Sequence, residues 1–240
     1  MVRYTVKAFF YIFGSNGNTK GGEITGVPGE CEGTVFMGFC KPKIRSKAQI
    51  NDWIIGISNA KLKPRRILSI IEVKDKPKLW KAIINYSEAI WSKDNPIGQI
   101  YVKAKKTGND YKYEYIDGAP HDEGNRHNDL EKHPDTDTLI VGTSNSLILG
   151  KYGYPIDDKI LSLIRKDPRL KQEKIDVNAP LGRMYNRKLK RWVASSYPKS
   201  AIVAPSKSDT EHLKEIVTTV RKQIAESEGT PHQKLAGRGC

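Results

Sequence analysis

The chain has 240 residues, a formal net charge of +14 and 38% hydrophobic residues, enough to bury a core as one large domain or as a domain with a substantial extension. Its three cysteines, Cys31, Cys40 and Cys240, exclude a disulfide-stapled scaffold, and no C-x-x-C pair suggests structural zinc. No apolar run is long enough to span a bilayer, so no membrane partner is expected and a soluble, cytoplasmic protein is the expectation.

Val2, Tyr4 and Val6 alternate with Arg3, Thr5 and Lys7, which predicts a half-buried strand turning fully apolar from Ala8 to Phe13. The missing small-residue cleavage site argues against a signal peptide. The glycine-rich stretch that follows has neither dinucleotide-loop nor P-loop spacing and is expected to be a loop. Strands are predicted over Thr34–Gly38 and Trp53–Gly56, on either side of the basic, proline-interrupted stretch Cys40-Lys41-Pro42-Lys43-Ile44-Arg45-Ser46-Lys47. A basic loop fixed ahead of a buried strand suits an anionic ligand, because a rigid scaffold limits the entropy lost on engagement. Taken alone, the stretch is better explained as a solvated lysine-rich turn before an ordinary core strand. A second basic turn, Lys61–Arg66, leads into an apolar run at Ile67–Val73. If both turns left the same end of the sheet, Lys41, Lys43, Arg45, Arg65 and Arg66 would share one rim. Residues 41 to 81 hold 12 basic and 3 acidic side chains.

Pro77–Trp91 has helical spacing with proline suited to the first turn. Two alternating runs around Thr107-Gly108-Asn109-Asp110 predict a hairpin whose second strand puts Tyr111, Tyr113 and Tyr115 on one face. Those rings suit either a platform for unpaired bases or an aromatic cross-strand patch, and we favour the patch. A polar loop over residues 117 to 138 holds His121, His127 and His133 among carboxylates, donors apt for acid–base chemistry or a divalent metal, although their spacing fits no metal signature. Residues 110 to 137 carry 3 basic and 9 acidic side chains. Short strands at Leu139–Gly142 and Ser146–Gly150 close this region.

Asp157 or Asp158 caps a predicted helix containing Ile160, Leu161 and Ile164. Residues 165 to 199 return to 11 basic and 3 acidic side chains. Within them Arg183, Arg187, Lys188, Lys190 and Arg191 interleave with Met184, Tyr185 and Trp192, a mixture suited to phosphate contact with stacking. A last strand at Ser200–Ala204 and a helix entered through Ser208-Asp209-Thr210-Glu211 complete the ordered chain, and the tail is expected to be disordered. The expected units are residues 1–156 as a core domain, 157–226 as a basic extension and 227–240 as the tail.

The basic stretch with Asn51-Asp52-Trp53-Ile54-Ile55-Gly56 resembles the second nucleotide-modification-associated domain family of bacteria, archaea and phages. Asn95-Pro96-Ile97-Gly98-Gln99, His121-Asp122, Asp137–Val141 and Leu147–Gly150 fall in similar order. The resemblance covers roughly residues 2 to 156. Members have Gly-Asp before the tryptophan, where this chain has Asn51-Asp52, and an aromatic pair where it has Ile148-Leu149. A weaker likeness of pattern is to PUA-like barrels, including the ASCH and EVE modules, whose pockets accept a flipped or modified base. The fold expected from these likenesses is α+β, with a mixed, strongly bent or barrel-like β-sheet (PUA-like), flanking helices and a basic α/β C-terminal extension.

The resemblance implies a DNA-base-modification context. The leading expectation is a protein that binds DNA or a nucleotide, with Lys41, Lys43, Arg45, Arg65 and Arg66 on phosphate and Trp53 near or beneath a pocket. An enzyme acting on a modified nucleotide or base through His121 and Asp122 is the rival. A third reading is an adaptor with a protein partner in a modification or defence system. The sequence names no cofactor and no metal.

Overall fold

The computed structural model describes residues 4–12, 28–38, 41–58, 64–119, 137–149, 153–170, 175–178, 180–181, 183–186, 191–194 and 200–227. The central sheet is built from β1 (Ala8–Ile12), β2 (Gly29–Cys31), β3 (Thr34–Met37), β4 (Trp53–Ile57), β5 (Arg66–Asp75), β8 (Ile140–Gly142) and β13 (Ser200–Val203), in the order β13-β1-β4-β5-β8-β3-β2. Two short strands, β9 (Leu147–Ile148) and β10 (Tyr154–Pro155), add to β5. β1 and β4 pair in parallel, and every other pair is antiparallel. Two separate hairpins join β6 (Val102–Thr107) to β7 (Asp110–Tyr115) and β11 (Arg183–Asn186) to β12 (Arg191–Ala194).

The α+β class is as the sequence indicated, but the strongly bent or barrel-like sheet must be corrected. A barrel needs its terminal strands to pair, and here the order runs open from β13 to β2. The PUA-like likeness gains no support from that strand order. Alternation identifies strands and their faces, and leaves closure undetermined.

Both faces of the sheet are apolar where β1 and β4 pair in parallel, as buried parallel strands require. One face carries Ala8 and Phe10 of β1, Trp53, Ile55 and Ile57 of β4, and Ala201 and Val203 of β13. It packs against α3 (Asp158–Ile164) through Ile160, Leu161 and Ile164, and against α4 (Lys207–Ser227) through Leu213, Ile216 and Val220. The other face carries Phe9, Tyr11 and Ile54 and receives Ile44 and Ala48 from α1 (Pro42–Lys47) and the residue after it. A third cluster gathers Leu79 and Ala82 of α2 (Leu79–Asn85) with Phe36, Val102 and Val141, and Tyr113 and Tyr115 pack against it.

Helix ends follow the local chemistry. Asp157 caps α3 by accepting from the Ile160 N–H at 2.9 Å. At α4 the reciprocal box is Ser206 with Asp209, two residues before the predicted start: the Ser206 N–H donates to Asp209 Oδ2 at 2.6 Å and the Asp209 N–H to Ser206 Oγ at 3.3 Å. Among the described residues no helix is long and apolar enough to cross a membrane.

Candidate nucleic-acid interface

The basic stretch expected as a loop is a helix, α1. Pro42 sits in its first turn, where a missing N–H costs nothing, and Lys41 ahead of it takes a left-handed backbone with φ 60°. The Lys41 ammonium lies 5.4 Å from the centre of the Tyr11 ring. Arg45 points inward, fully buried, and its Nη1 donates to the Thr138 carbonyl at 2.9 Å. Lys76 closes the far end of the helix by donating to the carbonyls of Ser46 at 3.0 Å and Ala48 at 2.8 Å. Lys43 and Lys47, four residues apart and both exposed, are left on the outer face.

The turn after α1 explains the Asn51-Asp52-Trp53 motif. Asn51 has φ 71°, the left-handed region in which glycine is most at ease and asparagine next. Asp52 is fully buried and accepts from the Tyr4 hydroxyl at 2.6 Å and from the N–H groups of Lys7 at 2.7 Å and Gln49 at 2.8 Å. It therefore ties the approach to β1 to the end of α1. Trp53 is buried on the sheet face covered by α3 and α4.

The two basic turns lie at opposite ends of one strand pair. Trp53 pairs with Glu72 and Ile57 with Ile67, so α1 meets the start of β4 while Arg65 and Arg66 flank its end, about 15 Å away at the usual rise per residue. Arg65 is buried, with Nη1 donating to the Ser58 carbonyl at 3.4 Å, and Arg66 Nη1 donates to the Gly153 carbonyl at 3.1 Å. Arg183 and Arg191 stand on the β11–β12 hairpin, where Arg191 pairs with Asn186. Arg187, Lys188 and Lys190 lie outside the described residues, as do His121 and Asp122.

What α1 does share an end with is α2 and the β6–β7 hairpin. Thr138, which receives Arg45, bridges to Lys78 just before α2. Its neighbour Asp137 pairs with Lys78 and accepts from the Tyr113 hydroxyl at 3.2 Å. Tyr111 stacks on Trp80 with ring centres 4.5 Å apart and planes 3° from parallel, and the Lys81 ammonium lies 5.2 Å from the centre of a Trp80 ring. The tyrosine row is thus an aromatic patch joining hairpin to helix. The exposed side chains along this end include Lys43, Lys47, Lys74 and Lys81, followed by the hairpin lysines.

A contact between distant helices escaped the sequence. His212 of α4 is largely buried, with Nε2 2.8 Å from Asp157 Oδ2 and Nδ1 3.3 Å from Glu215 Oε2. Tyr154 donates to the same Asp157 oxygen at 3.3 Å. Asp157 is legible as a cap, but its partner 55 positions on is not. With carboxylates on both sides of its ring, His212 clamps α4 onto the start of α3. Burial pushes the Cys31 thiol up to about 11, so it is a poor nucleophile near neutral pH. Among the described residues no group of three or more His, Cys, Asp and Glu side chains is placed to hold a metal ion.

A family model described as Nucleotide modification associated domain 2 matches residues 24–212. That span includes α1, both basic turns, the β6–β7 hairpin and His212. No curated protein and no solved structure matches the chain.

Proposed function

The chain belongs to the nucleotide modification associated domain 2 family, and from that premise we propose that it binds nucleic acid or nucleotide phosphate through exposed cations, serving a nucleotide-modification system. The observation that carries this reading is the mounting of α1. Arg45 on Thr138 and Lys76 on the helix end fix its backbone, while Lys43 and Lys47 on its outer face form no ion pair among the described residues. Two cations on an immobile platform lose little entropy on meeting phosphate. In this reading Lys43 and Lys47, with Lys41 ahead of them, contact phosphate, whereas Arg45 and Trp53 support the surface from beneath. Arg65 and Arg66 belong to a separate contact at the other end of β4. Arg183, Arg187, Lys188, Lys190 and Arg191 extend the binding surface.

The charge of +14 makes such binding steeply salt-dependent. The test measures affinity of the full chain for labelled DNA across a salt series, with Lys43→Gln/Lys47→Gln beside the wild type. Weaker binding and a shallower salt slope are expected for the double variant. The same affinity and slope in both proteins would overturn the assignment to α1.

A further inference from the structure

Among the described residues the β6–β7 hairpin pairs only with itself, through six residue pairs from Val102–Tyr115 to Thr107–Asp110. Its two faces differ sharply. One holds Tyr111, Tyr113 and Tyr115, half-buried against α2 and the third core cluster. The other holds Lys103 and Lys105 on β6 with Lys112 and Glu114 on β7, all exposed. Lys105 stands directly opposite Lys112. Like charges in that cross-strand position destabilise a hairpin. Neither lysine has an ion-pair partner among the described residues; the acids on that face are Glu114, opposite Lys103, and Asp110, opposite Thr107 at the turn. Lys106 is also exposed, but it stands opposite Tyr111 and so belongs to the tyrosine face. An arrangement that works against the hairpin's own stability, on a ribbon held firmly from behind by the Trp80–Tyr111 stack, is what an anionic partner would relieve.

The shape of the ribbon narrows the partner. Six residues per strand make it about 20 Å long, and two strands about 5 Å apart match the width of the B-DNA major groove, which admits a two-stranded β-ribbon. The tip is slim: Gly108 has φ +63°, Asn109 has no positive φ, and a Cβ added at Gly108 would meet open space. That is the two-residue turn with glycine first, and it places no bulky side chain at the end of the ribbon. Double-stranded RNA offers a major groove too narrow for such an element.

We propose that the β6–β7 ribbon docks on double-stranded DNA, with Lys105 and Lys112 against phosphates and Lys103 beside them, the aromatic face acting as its mount. This rests on the nucleic-acid reading above and names the form of nucleic acid and the element that meets it. Charge and width carry the assignment, so it predicts phosphate contact with little dependence on base sequence.

The experiment compares wild type, Lys105→Gln/Lys112→Gln and Lys43→Gln/Lys47→Gln, each as the full chain, on duplex DNA, single-stranded DNA and duplex RNA of one length. Loss of two phosphate contacts should lower the slope of log K against log salt on duplex DNA by about 1.8. The melting temperature of Lys105→Gln/Lys112→Gln should match or exceed that of wild type, since the variant relieves an opposed pair, and this separates lost binding from lost folding. An unchanged duplex slope in that variant overturns the ribbon assignment, and if Lys43→Gln/Lys47→Gln still loses affinity the broader reading stands. Wild-type preference for single strands or duplex RNA also overturns the ribbon assignment alone. Failure of wild type to bind any of the three at low salt overturns both.

Discussion

Arg45 and Thr138, 93 positions apart, are joined where the buried guanidinium donates to the threonine carbonyl at 2.9 Å. A cation that pattern alone would give to a ligand thus bolts α1 to the strand region around β8. Truncating it removes a charge-assisted bond and leaves a buried carbonyl without that donor. Arg45→Ala should lower the unfolding free energy by about 3 kcal/mol. Lys43→Gln/Lys47→Gln on the outer face should change it by less than about 0.5 kcal/mol. Urea denaturation of both proteins checks the contrast, and equal stability would return Arg45 to the list of ligand contacts.

The turn after α1 gives a second contrast. Asn51 holds φ 71° and its N–H donates to the Val73 carbonyl at 2.8 Å, so the backbone cannot relax without losing that bond. Asn51→Gly should keep stability within about 0.5 kcal/mol, because glycine accepts this conformation freely. Asn51→Val should lose about 1–2 kcal/mol, the cost of a left-handed backbone next to a branched side chain. The departure from Gly-Asp noted in the sequence is therefore a conservative one in backbone terms. Thermal melts in which valine is tolerated as well as glycine would refute this account.

Elements with strong local signals were legible. The β6–β7 hairpin followed from alternation around Gly108-Asn109, β5 from its continuous apolar run, and the α3 cap from Asp157. The α1 helix is hidden in the sequence because Pro42 interrupts the basic stretch, although proline is compatible with a first turn. Its inward face was hidden as well, since Arg45 counts as polar in any hydrophobic pattern. Relationships fixed only by topology lay beyond local reading. The separation of the two basic turns depends on the antiparallel β4–β5 register, and the parallel β1–β4 pairing depends on a crossover through β2, β3 and α1. His212 and Asp157 meet only because α4 packs across the start of α3. Lys105 facing Lys112 was within reach, because the turn fixes the register.

The Trp80–Tyr111 stack should be measurable as a coupling between hairpin and helix. Stacked rings contribute about 0.5–1.5 kcal/mol beyond their buried area. A double-mutant cycle of Trp80→Ala and Tyr111→Ala should give a coupling energy in that range, since the rings touch at 4.5 Å. Additive losses in chemical denaturation would mean that the hairpin is held by its other contacts, of which Tyr113 with Asp137 is the next to test.

Asp167 gives stability a defined acid limb. Burial works to raise its carboxyl, but the Arg169 side chain and the N–H groups of Ile202 and Arg169 outweigh burial and hold it below the ordinary carboxylate range. Through the Ile202 bond it fastens β13 to the segment after α3. A carboxyl depressed in the folded state contributes stability that is fully present above its unfolded value of about 3.9, and that is lost as pH falls through the folded value. Asp167→Asn, which cannot satisfy the same set of donors, should cost about 2 kcal/mol at pH 7. The gap between wild type and variant should hold from pH 7 to about pH 5 and close below about pH 4. Urea midpoints of both proteins at pH 7, 5 and 3 measure it directly. A gap that widens on acidification would mean that the carboxyl is raised by burial after all, and the anchoring of β13 would then fall to its pairing with β1.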